Sequence, residues 1–127
     1  MNIAGIIENG VIATLENEIN ASDLEWNEHS SFKGVYLKHL IKGEATNNMF
    51  SSHLIKIKAG YEIGDHIHKD KWELHEPIMG KGKGFLGEKE IDYKLGVSVV
   101  IPEGIKHKVV AGGEDFYLLA KFVPPLL

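Results

Sequence analysis

Hydrophobic and polar positions alternate along much of this chain. Between Met49 and Ala59, His53, Ile55 and Ile57 fall on one face, and Leu54, Lys56 and Lys58 on the other. That two-residue period belongs to a β-strand. The lysines must face water, so His53 shares the inward face with the isoleucines. Gly34–Ile41 also reads as a strand, and so do Trp72–Met79, Ile91–Leu95, Val97–Ile101, His107–Val110 and Phe116–Val123. Pro77 cannot donate to a sheet ladder, so the strand around it needs a free ladder position or a bulge. Glycine, proline and polar clusters punctuate these runs at Gly60, Gly80, Gly96, Pro102–Gly104 and Ala111–Asp115. No stretch of twelve residues has a convincing helical period. The pattern predicts an all-β domain of eight to ten short strands, spaced as in a sandwich or barrel.

Residues 1–33 fit this pattern least. Val11–Leu15 reads as a short strand, Asn9-Gly10 as a tight hairpin turn, and Asn17–His29 is polar and acidic with Leu24 and Trp26 as apolar anchors. The expected organisation is an N-terminal arm over 1–33, packed on a second subunit or on its own domain, and a barrel over 34–127.

Composition narrows the function. The chain has 127 residues, a formal net charge of −4 and no cysteine. Disulfides, thiolate metal sites and cysteine nucleophiles are excluded. There is no basic patch of the kind that binds nucleic acid. No apolar run approaches a membrane span and no leader is evident, so the expected setting is the cytoplasm, with no membrane partner. All fourteen basic residues are lysine. Without arginine, the usual bidentate clamp for phosphate, a pyrophosphate substrate is disfavoured.

The candidate chemistry lies in Gly60–His107. His66 and His68, two residues apart on an extended chain, present both rings to one face. Lys69–Lys71 supplies a turn that lets Glu73 open the neighbouring strand and point back at them. His107 begins a strand after the Pro102–Gly104 turn. Imidazoles plus a carboxylate suit a divalent transition metal. His75 shares the face of Glu73 and is a candidate to move a proton or to serve as a structural hydrogen-bonder. Trp72, Phe85 and Phe116, with His53, could shape a pocket or simply pack. Asp65, Glu76 and backbone carbonyls are candidate acceptors for the ligands' second ring nitrogens.

The spacing resembles the two motifs of the cupin superfamily. The first is matched by Gly60, His66, His68, Glu73 and Gly80, the second by Gly96, Pro102, Gly104 and His107. Ala111 stands where the second motif usually ends in asparagine, a position that is not a ligand. The resemblance covers about residues 34–123. It implies a double-stranded β-helix, or jelly-roll barrel. It also implies one divalent metal (nickel, manganese, iron, zinc, copper or cobalt) held by His66, His68, Glu73 and His107, and a homodimer. The expected partner is a small organic molecule. The expected chemistry is oxygenase-type, with Glu73 or His75 moving a proton; a metal-dependent isomerase, lyase or hydrolase and a non-enzymatic binding module are the alternatives.

Overall fold

Residues that alternate in the sequence alternate in burial. In the strand Phe116–Val123, Phe116, Leu118, Ala120 and Phe122 are buried and the residues between them are not. The structure, a computed structural model, describes residues 2–127, so the first residue of the arm lies outside it. The described elements begin with a helix α1 (Ile3–Glu8) and three short strands, β1 (Val11–Ala13), β2 (Glu18–Asn20) and β3 (Asn27–Glu28). Then come β4 (Val35–Ile41), β5 (Ser51–Ile57), β6 (Glu62–His66), β7 (Trp72–Met79) and β8 (Gly82–Leu86). The chain ends with β9 (Lys89–Tyr93), β10 (Val99–Ile101), β11 (His107–Ala111) and β12 (Phe116–Val123).

Two antiparallel sheets form the body. One has the order β10-β7-β12-β5-β4-β3 and the other β6-β11-β8-β9. Their facing sides enclose a core that includes Ile55, Ile57, Ile63, Ile101, Phe116 and Leu118. This is the jelly-roll barrel expected, with twelve strands rather than eight to ten because the arm contributes three short ones. Pro77 sits at an irregularity in the β7–β12 ladder: Tyr117 pairs with Met79 and Leu118 with Pro77, so Ile78 has no opposite number. The extra residue is a bulge, and it absorbs the missing donor.

The arm departs from expectation. Ile3–Glu8 is helical, not extended, and Asn9-Gly10 follows its end instead of turning a hairpin. Asn2 caps it, its side chain accepting from the Gly5 amide at 2.8 Å. Six residues are too few to show a helical period or to hold a helix alone in water. The helix persists because Ala4, with Ile3 and Ile7 beside it, packs on Leu54, Ile78 and Leu119 on the outer face of the six-stranded sheet. Leu54 therefore faces this cluster and not water. The arm thus packs on its own barrel. A buried lysine secures it, with Lys38 Nζ donating to the Ala21 carbonyl at 2.9 Å and lying 5.5 Å from the centre of the Trp26 ring.

Candidate metal centre

Period two carries Glu73 and His75 inward from β7, while His107 opens β11 facing the same interior. His66 closes β6, where its partner across the ladder is His107. His68 lies just beyond, on the loop leading to β7. The group therefore straddles both sheets: His66 and His107 come from the four-stranded one and Glu73 from the six-stranded one. Glu73 and His107 stand near the starts of their strands, as expected, whereas His66 ends one and His68 lies in a loop. One ligand-type atom from each of His66, His68, Glu73 and His107 lies within 4.8 Å of the others.

Hydrogen bonds set the orientation of the rings. His66 Nδ1 donates to the Gly64 carbonyl at 2.8 Å, and His107 Nδ1 to the Ile105 carbonyl at 2.9 Å. Backbone carbonyls are thus the acceptors, and not Asp65 or Glu76; Glu76 pairs with Lys121 instead. With Nδ1 protonated, each Nε2 presents a lone pair, as metal-bound histidines do. Glu73 Oε1 lies 3.2 Å from His107 Nε2 and 3.5 Å from His68 Nε2. It is aligned with neither, so Glu73 Oε1 and His107 Nε2 are both buried without a hydrogen-bond partner.

The other carboxylate oxygen is engaged. Glu73 Oε2 accepts from His75 Nε2 at 2.6 Å, and His75 Nδ1 then accepts from the Tyr93 hydroxyl at 2.9 Å. Both nitrogens of His75 are used, so it holds Glu73 and does not join the ligand atoms. Burial would raise the Glu73 pKa, but the adjacent His75, through its proximity and its hydrogen bond to Oε2, and the nearby His107 hold it well below the usual carboxylate range. Burial lowers His66 to about 4 and also lowers His68, so both are neutral imidazoles near pH 7. Burial pulls His107 down too, but its contact with the Glu73 carboxylate outweighs this and raises its pKa. An ionised carboxylate, the neutral His66 and His68 imidazoles and two partnerless buried atoms fit a divalent cation, which would take the place of a proton at His107.

The group opens into a cavity of about 60 Å³. Its polar wall is His29, His66, His68, Glu73 and His75, and its apolar wall is Val35, Leu37, Ile55, Ile63, Phe122 and Leu126. The other residues expected to line a pocket stand elsewhere. Trp72 precedes inward Glu73 and so points out, 48% exposed. Phe85 follows buried Gly84 and faces outward beneath Lys108, whose Nζ is 4.9 Å from the ring centre. Phe116 points inward but lies six residues from Phe122 along β12, about 20 Å away, and packs on Tyr93. His53 is buried beside Phe122 and is not among the residues that line the cavity. Its ring is 5.6 Å from that of Phe122, and its nitrogens meet His39 Nδ1 and Ser51 Oγ, each at 2.8 Å.

Two residues of this neighbourhood were visible by alternation. Phe122 shares the face of Phe116, and Tyr93 is the inward end of β9. His29 had no local signal, because its place depends on how the arm folds back.

No family model matches the chain, and no curated protein matches it. Solved structures do. A predicted oxalate decarboxylase from Thermotoga maritima is 24% identical with a TM-score of 0.74, over 81% of this chain and 95% of that one. KdgF from Halomonas sp. is 17% identical with a TM-score of 0.72, over 81% and 88%. The polyketide cyclase RemF from Streptomyces resistomycificus is 16% identical with a TM-score of 0.75, over 84% and 78%. Cupin-2 and RmlC-like cupin structures also superpose. The chain has the fold of the cupin superfamily, and within it a three-histidine, one-glutamate group that could hold a metal.

Proposed function

We propose that this chain is a metal-dependent enzyme acting on a small oxygen-bearing organic molecule, with His66, His68, Glu73 and His107 holding one divalent ion. The observation that supports this reading best is the pair of partnerless buried atoms, Glu73 Oε1 and His107 Nε2, at the end of a walled cavity. Such atoms are costly to leave unpaired unless something fills the space between them. When bound, a divalent transition metal supplies a Lewis acid with positions left for water, dioxygen or substrate.

The chain's own residues supply the rest. The carbonyls of Gly64 and Ile105 keep the His66 and His107 rings turned toward the centre. His75 restrains Glu73 through Oε2, leaving Oε1 free to face it. The Tyr93 hydroxyl in turn steadies His75 at Nδ1. Aliphatic walls keep bulk water away and suit an apolar co-substrate such as dioxygen, which favours an oxygenase-type reaction. A second reading, Lewis-acid chemistry without dioxygen, draws support from neighbours named as a decarboxylase and a cyclase.

Purified protein is expected to carry about one equivalent of divalent metal. The His66→Ala/His107→Ala double variant should fold, by circular dichroism, yet lose that metal; full retention would sink the assignment. Iron- or copper-loaded protein should consume oxygen with some member of a panel of diketones, catechols, flavonoids and thiols. Product formation without oxygen uptake would select the second reading.

A further inference from the structure

His29 belongs to the arm, not the barrel, yet it lines the same cavity as His66, His68 and Glu73. It is not one of the four residues whose atoms converge. Its Nδ1 accepts from the Ser31 amide at 3.0 Å, so the neutral ring carries its proton on Nε2. That N–H has no protein acceptor among the hydrogen bonds of the described residues. The Phe32 ring holds His29 in place, 4.8 Å from it and 6.0 Å from His66. Phe32 in turn rests on Gly64, where an added Cβ would come within 2.9 Å of its ring. The arm thus adds to the cavity wall a histidine whose Nε2–H has no protein acceptor among the described residues, with the Phe32 ring packed between it and His66.

The rest of the wall limits what that donor meets. No lysine lines the cavity, and the chain has no arginine. Glu73 is its one carboxylate, so a divalent ion held there leaves a single unit of positive charge. A monoanion cancels it; a compact dianion would leave a charge uncompensated against aliphatic walls. Leu37, Ile55, Ile63 and Leu126 offer apolar contact to a short aliphatic body.

We infer that His29 is the donor that recognises the substrate, and that the substrate is a small monoanionic oxygen chelator with a short aliphatic body, of the 2-oxo acid or enolised dicarbonyl type. This rests on the metal-centre reading and extends it to a residue outside the cupin motifs.

The test titrates cobalt-loaded protein with 2-oxobutanoate and with oxalate by calorimetry, measuring bound cobalt alongside. His29→Leu removes the donor, and His29→Gln keeps an N–H. His29→Leu is expected to bind 2-oxobutanoate about tenfold more weakly while keeping its cobalt. His29→Gln should recover most of that loss, and oxalate should bind the wild type less tightly than 2-oxobutanoate. Unchanged 2-oxobutanoate affinity in His29→Leu overturns the role of His29, as does loss of cobalt from that variant. Tighter binding of oxalate overturns the ligand class. A wild-type protein that takes up no cobalt overturns the proposed function itself, and this inference with it.

Discussion

At the scale of single residues, His53 separates a buried imidazole from a ligand. Burial lowers its pKa to about 4, with the nearby His39 adding to the shift, so it is neutral in the folded protein. In the unfolded chain it takes up a proton near the ordinary value of 6.5. The unfolded state therefore binds more protons, and stability falls with pH from about 6.5 down to about 4. The full effect is on the order of 3 kcal/mol. Metal-free wild type, compared with His53→Gln by urea unfolding across that range, should lose the larger share of its stability. A constant difference between the two would show that His53 is not held neutral. The four clustered residues were legible because their spacing and turns are local facts. The pocket aromatics were not, because chemistry suggested them where alternation already decided: Trp72 and Glu73 are neighbours and cannot both face inward. Alternation also leaves side-chain pairings such as His75 with Tyr93 unstated, since eighteen residues separate them.

At the scale of elements, the barrel strands were readable because most alternate a buried with a wetter face, as β7, β11 and β12 do, and the Pro77 bulge because proline lacks a donor. The arm was not. Its helix is shorter than the period that would reveal it, and its hold on the barrel is a long-range contact. Lys38 is the clasp: an outward residue of β4 made interior by the arm folding over it, 4% exposed. Lys38→Ala removes the bond to the Ala21 carbonyl and the packing against Trp26. Amide hydrogen exchange over residues 21–29 is expected to quicken about tenfold, with β5, β7 and β12 unchanged. Uniform quickening throughout would mean that arm and barrel open as one cooperative unit.

At the scale of the whole molecule, the candidate site is a seam. Two sheets of different width meet where His66 and His107 face Glu73, so a bound ion would tie them together. The outer face of the wider sheet is less finished. Phe50, Trp72, Val100 and Val123 are exposed there and border one shallow apolar recess beside β10, the strand at the sheet's edge. Exposed apolar side chains gathered around an open strand edge invite association. A second copy of the chain is the proposed cover. Light scattering should give twice the chain mass at micromolar concentration, and Val100→Glu should halve it by placing a charge in the joint. A wild type that stays monomeric at high concentration would remove this proposal and leave the metal centre untouched.

The chain of contacts behind Glu73 has a consequence for heredity. A Cβ at Gly84 on β8 would come within 2.0 Å of the Tyr93 ring, and Tyr93 is what steadies His75. A single methyl group on a strand that supplies no ligand would therefore be felt at the glutamate. Gly84, Tyr93, His75 and Glu73 should behave under selection as one locus, drifting together or not at all. In related chains, a bulkier residue at the first of these positions should arrive with a smaller one at the second.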